Sequence, residues 1–170
     1  SIGGTGVNLL PSEYTTFGAA APSLNKAAQL ALSTELLSTA TGGYLLKADV
    51  SPSSTGYMYL ASSGTDYNMR VKPGTKYIVS FWARGSAAHS LSLRIRYPNT
   101  AGTAIEIELA SQAITTTLSR YSAVLTMPAD LADRCCFLMY TQRTAAVGVT
   151  YFDGFMFESQ VGNATTASDF

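Results

Sequence analysis

Hydrophobic and polar residues alternate with a period of two along much of the chain, as expected for strands with one side in a core and the other in water. Residues 91–98, LSLRIRYP, show it best: Leu91, Leu93, Ile95 and Tyr97 fall on one side, Ser92, Arg94 and Arg96 on the other. AIEIELA, 104–110, sets Ile105, Ile107 and Leu109 against Glu106 and Glu108. YIVSFWAR, 77–84, separates Tyr77, Val79, Phe81 and Ala83, the better core face, from Ile78, Ser80, Trp82 and Arg84. Residues 43–50, 56–62, 67–71, 120–128, 134–142 and 148–158 are also rich in β-branched or aromatic residues. Turn signals such as SPSSTG, KPGT, GSAAH, PNTAGT and MPADLAD lie between them. About nine strands so spaced predict an all-β antiparallel β-sandwich of the jelly-roll kind. The stretch SLNKAAQLALSTELLSTATGG, from Ser23, departs from the pattern: its Ala and Leu favour helix, and its reading is one strand around Gln29–Ser33 followed by a helical turn.

Short loops join the segments at 77–84, 91–98 and 104–110, so neighbours are expected to pair antiparallel. Arg94 and Arg96 then lie across from Glu106 and Glu108, on one polar sheet face that also carries Trp82, the single tryptophan. A sugar ring stacks its C–H patches on an aromatic plane and needs planar donors and acceptors around it, which Arg, Glu and Gln supply. The plainer alternative is a solvated row of cross-strand ion pairs worth a few tenths of a kcal/mol each. In that case Trp82 is capped by Arg94 in a cation–π contact of about 0.5–1 kcal/mol. Both readings stand at this point.

Composition narrows the classes. The chain of 170 residues suits one domain, with 1–7 expected to be a linker and 8–170 a single β-sandwich, a piece of a longer parent protein with further domains. Eleven basic against eleven acidic side chains leave no field to draw in nucleic acid. No apolar run is long enough for a membrane-inserting helix. Cys135 and Cys136 are neighbours on a strand, pointing to opposite faces, and read as two buried free thiols. Catalysis has little support. His89, the one histidine, lies in a loop and is expected to be solvated, and no nucleophile, phosphate or zinc motif occurs. Glu106 and Glu108 could meet a glycosidase spacing, but each faces an arginine that favours its ionised form.

Three stretches carry a resemblance: NLLP at 8–11, VKPGTKYIVSFWARG at 71–85 and TYFDGFMFESQVGNATTASDF at 150–170. They resemble the jelly-roll carbohydrate-binding modules of the family 4/9 type, within the galactose-binding-like superfamily. The resemblance implies a non-catalytic domain that takes a glycan or polysaccharide. On the residues, the ligand contacts are expected to be Trp82, Arg94, Arg96, Glu106, Tyr140 and Gln142, with Tyr57 and Tyr59 as further aromatics. The resemblance also implies a structural calcium held by Asp153 and by Glu13 in the N-terminal region, although calcium needs six to eight oxygens. Leu118, Ser119 and Arg120 stand where many such modules have a tryptophan. The tail ATTASDF is similar to the ends of such domains in bacteriophage tail fibres. The expectation is a tail-fibre or receptor-binding module on a virion, acting in host attachment, with a homotrimer as one assembly. A module of a secreted glycoside hydrolase, or a purely structural oligomerisation domain, are the alternatives.

Overall fold

Two-residue periodicity resolves into two antiparallel sheets packed face to face. The computed structural model describes residues 7–10, 17–19, 21, 24, 26–37, 43–50, 55–60, 67–142 and 148–168. Its strands are β1 (Leu30–Leu37), β2 (Gly43–Val50), β3 (Thr55–Tyr59), β4 (Met69–Arg70), β5 (Lys76–Gly85), β6 (His89–Pro98), β7 (Ala104–Ile114), β8 (Ser119–Thr126), β9 (Arg134–Gln142) and β10 (Val149–Ser159). Sheet I has the order β1-β2-β10-β5-β8, and sheet II the order β3-β9-β6-β7 with β4 also on β9. The jelly-roll sandwich expected from the pattern is the observed architecture.

Two local expectations fail. The helical turn after Ser33 is absent, because β1 continues to Leu37 and pairs with β2 along its whole length, Leu30 opposite Val50 and Leu37 opposite Gly43. A complete ladder outweighs the modest helix preference of Ala and Leu. Nor do β5 and β6 pair. The corner Ser86–Ala88 carries the chain from sheet I to sheet II, so β5 lies between β10 and β8 while β6 lies between β9 and β7. His89, at that corner, is half-buried rather than solvated. Its Nδ1 is 2.9 Å from the Ala87 carbonyl and its Nε2 3.1 Å from Thr150 Oγ1, tying the corner to β10.

The predicted inward positions are buried, and so are Ile78 and Ser80, which the alternation places on the outer side of β5. Tyr77, Val79, Phe81 and Ala83 of β5 are buried, as are Leu91, Leu93, Ile95 and Tyr97 of β6. Phe81 meets Phe152 and Phe155 at centroid distances of 6.1 and 5.8 Å, and Phe137 of sheet II meets Phe157 of sheet I at 5.7 Å. A bulge between Asp153 and Met156, with Gly154 at φ 59°, keeps Phe152, Phe155 and Phe157 all inward on β10. The KPGT turn explains the motif before β5. Gly74 takes φ 69°, and the Tyr77 hydroxyl returns from the core to accept the Lys72 amide at 2.9 Å.

The C-terminal segment closes over the outer face of sheet I. Glu158, fully buried, accepts from Ser168 N and Ser168 Oγ, both at 2.8 Å. Arg120 Nη2 donates to the Ser168 carbonyl at 2.7 Å, and Ala167 N donates to Ser122 Oγ at 3.1 Å. Ser168 is thus held between an acid on β10 and a base on β8. Hydrogen bonds to a charged group contribute about 1.5–3 kcal/mol each, and a buried carboxylate left without donors is strongly unfavourable. Ser168→Ala, which deletes one of the donors to Glu158, is therefore expected to lower urea-unfolding stability by about 1–3 kcal/mol, with a deletion of residues 164–170 losing more.

Candidate functional site

The outer face of sheet II is formed by the side chains that alternate with its core set. These are Ser92, Arg94 and Arg96 on β6, Glu106 and Glu108 on β7, Cys136, Leu138 and Tyr140 on β9, and Tyr57 and Tyr59 on β3. The register places Arg94 opposite Glu108 and Arg96 opposite Glu106, as the pattern predicts. The ion pairs run diagonally as well as straight. Arg94 Nε is 3.4 Å from Glu106 Oε2 and its Nη1 is 3.9 Å from Glu108 Oε2. Tyr140 donates its hydroxyl to Glu106 Oε2 at 2.8 Å, and Ser92 donates to Glu108 Oε2 at 2.6 Å.

Aromatic rings continue the network across the sheet. The Arg94 guanidinium lies 4.7 Å from the Tyr140 ring centre. Tyr57 lies 5.7 Å beyond Tyr140, tilted by 31°, and meets Tyr59 edge-on at 5.7 Å. Arg96 hydrogen-bonds with Tyr59 and Tyr67, which holds its guanidinium above the usual range. Burial, and then the hydrogen bond to Glu106, push Tyr140 up to about 12; Tyr59 is raised chiefly by burial. Arg94 Nε is buried beside Glu106 without a hydrogen bond, leaving one donor in the network unused. Cys136 and Leu138 point outward by register yet have no exposure; Leu138 has Arg94 and Tyr59 as its neighbours on the sheet and Cys136 has Arg96.

Trp82 lies elsewhere. It is on the outer face of sheet I, opposite Asp153 on β10 and Arg120 on β8, and half-buried. The sandwich core separates it from Arg94 and Arg96, so the single face joining all three does not exist. The β5–β6 corner is the cause, since it sends two consecutive strands to opposite sheets. The aromatic partner of Arg94 is Tyr140 instead. Arg96, Glu106 and Tyr140 gather around Arg94 as expected. Gln142 ends β9 on the same side by register, but its side chain lies outside the described residues, as does all of Glu13. Tyr67 was not foreseen as part of this face; it is distant in sequence from Arg96, and no local pattern marks it. Arg120 takes part in the clasp on Ser168.

Of the two residues expected to hold a calcium, Asp153 lies among the described ones. Asp153 is fully buried, and its Oδ1 accepts the Gly154 amide at 2.9 Å. Among the described residues no three His, Cys, Asp or Glu side chains come together. The two cysteines are free and buried, and burial pushes Cys136 up to about 11 and Cys135 higher still, which keeps both as unreactive thiols. Glu106 and Glu108 share one strand and are both engaged by Arg94, which is no arrangement for an acid and a base across a cleft.

A family model described as a carbohydrate binding domain matches residues 38–146. Among solved structures, the CBM22-1 xylan-binding domain of Paenibacillus barcinonensis Xyn10C is similar with a TM-score of 0.58 and 12% identity, over 91% of this chain and 93% of that one. The CBM22-1–GH10 modules of Clostridium thermocellum endo-1,4-β-D-xylanase 10B, complexed with xylohexaose, give 0.61 and 13% over 95% of this chain and 30% of that one. The enzymatically active domain of bacteriophage CBA120 tailspike protein 4 gives 0.60 and 14% over 89% and 21%. At such identities the likeness is one of fold, and the chain spans under a third of the last two structures. No curated protein sequence matches the chain.

The raised phenol of Tyr140 sets a sign for alkaline pH. An unfolded tyrosine ionises near pH 10, whereas Tyr140 keeps its proton to about 12. Its contribution to stability is therefore full below about pH 10 and lost as pH climbs through about 12. Tyr97, raised to about 12 by burial and its 2.8 Å bond to Asp130, behaves alike. Absorbance titration of tyrosinate is expected to show a late component near pH 12 that shrinks in Tyr140→Phe and in Tyr97→Phe.

Proposed function

The chain belongs to the carbohydrate binding domain family, whose model spans residues 38–146, and from that we propose that the outer face of sheet II is its sugar-binding surface. The Tyr140–Glu106–Arg94 network carries the reading. Half-buried Tyr57 and Tyr140 offer aromatic surface for the C–H side of a pyranose. Glu106, Glu108 and Ser92 accept from hydroxyls, and Arg94 and Arg96 donate to them. These groups are already fixed by one another, so little side-chain freedom is lost on binding. Two arginines against two glutamates leave no net charge, which favours a neutral polysaccharide over an acidic one. Xylan, named for the Paenibacillus module of the same fold, is one such polymer. The domain acts without catalysis.

Sites of this open kind bind weakly, roughly millimolar to micromolar, and several copies on one particle would raise avidity by about 10²–10⁴. A virion appendage supplies such copies. The similarity of the segment after Glu158 to tail-fibre ends, together with the tailspike likeness in fold, supports a place in a phage receptor-binding protein that meets host glycans; we propose a trimer as its assembly. A module of a secreted glycoside hydrolase is the second reading, favoured by the xylanase module of the same fold.

Affinity electrophoresis in gels containing xylan, glucan or mannan tests the surface. Retardation by at least one neutral polymer is expected for the wild type, and weakening of about tenfold or more for Tyr57→Ala and Tyr140→Ala. Trp82→Ala is expected to match the wild type in the same gels. Equal retardation of all four proteins would remove the assignment to sheet II. For the assembly, light scattering of the purified domain is expected to give a trimer mass, and a monomer at high concentration would leave any trimer to other parts of the parent.

A further inference from the structure

The outer face of sheet I carries a second aromatic cluster that the sugar surface does not use. Tyr151 of β10 lies opposite Arg84 of β5 and Lys47 of β2. The Arg84 guanidinium is 4.0 Å from the Tyr151 ring centre, and Lys47 Nζ is 6.0 Å from it. Trp82 precedes Arg84 by two residues, so its indole shares this face at roughly 7 Å along the strand. All four side chains are half-buried.

This face carries Lys47, Arg84 and Arg120 beside Glu35, Asp49, Asp153 and Glu158, and its groups differ in which partners they already have. Lys47 is 3.7 Å from Glu35, and Arg120 is engaged by the Ser168 carbonyl. Asp153, opposite Trp82, is fully buried and takes the Gly154 amide. Arg84 has only the Tyr151 ring: among the described residues no carboxylate or carbonyl meets its guanidinium. The guanidinium is thus shielded on one side by a ring, while among the described residues no acceptor takes its N–H groups. A carboxylate bridges two parallel N–H groups of such an edge, and partial desolvation strengthens the pair.

We propose that Trp82, Arg84 and Tyr151 form a second binding site, for a sugar residue bearing a carboxylate such as a uronic acid, on the face opposite the neutral-sugar surface. The carboxylate takes the Arg84 fork, Lys47 adds charge from the Tyr151 side, and the pyranose ring lies toward the Trp82 indole. This site stands on its own geometry and does not need the sheet II surface to be active.

Affinity electrophoresis in polygalacturonate, with its fully methyl-esterified form as control, tests it. The wild type is expected to be retarded by the free acid and about tenfold or more less by the ester. Arg84→Gln and Trp82→Ala are each expected to weaken the free-acid interaction about tenfold, and Tyr140→Ala to leave it intact. Circular dichroism confirms that each variant is folded, and Lys47→Gln, with its milder expected loss of about two- to fourfold, replaces any variant that is not. No retardation of the wild type, equal retardation of Arg84→Gln and wild type, or loss of uronate binding in Tyr140→Ala would each overturn the proposal. Failure of neutral-polymer binding with uronate binding intact would sink only the sheet II assignment.

Discussion

A strand in a sandwich has one side available to the core, and the aromatic contacts between Phe81, Phe152, Phe155, Phe157 and Phe137 decide which side that is. Most polar side chains on those strands are forced outward as a result, Thr141 and Thr150 being buried exceptions. Because the two sheets back onto one another, outward means two surfaces that cannot cooperate. The chemistry of each must be complete within its own sheet. Sheet II meets this condition with two arginines, two glutamates and four tyrosines, and sheet I with a tryptophan, a tyrosine and an arginine whose guanidinium has, among the described residues, only a ring for a partner.

The β5–β6 corner distributes residues between those surfaces. Three residues, Ser86–Ala88, separate two strands of opposite sheets, and the His89 ring fastens the turn to Thr150. A hairpin of similar loop length would have put Trp82 beside Arg94. The two outcomes share the same alternation of side chains, so the alternation cannot distinguish them.

That is where the sequence stopped being legible. Periodicity located the strands from Gly43 onward within a few residues and sorted the side chains of β6 and β7 correctly, because burial acts position by position, whereas on β5 Ile78 and Ser80, expected on the wet side, are fully buried. It also foresaw that Arg94 and Arg96 lie across from Glu106 and Glu108, which needs only a neighbouring strand; the register then pairs Arg94 with Glu108 and Arg96 with Glu106. Sheet membership depends on contacts between distant segments, and the pattern of one strand does not contain it. For the same reason Tyr67 escaped notice, as did the role of Glu158 in capturing Ser168. The run of Ala and Leu near Leu30 misled because local propensity is weak beside a complete ladder to β2.

The apolar floor under the arginines of sheet II has a further implication. Cys136 and Leu138 have no exposure, and their neighbours on this face are Arg94, Arg96 and Tyr59, so the side chains that would greet a ligand also help to keep the sheet dry. Exchanging them for shorter residues to suit a different sugar would let solvent reach the sheet beneath. Diversification of this surface is therefore constrained toward long or flat replacements, and a lineage changing its ligand would do so more readily at the rim than at the centre.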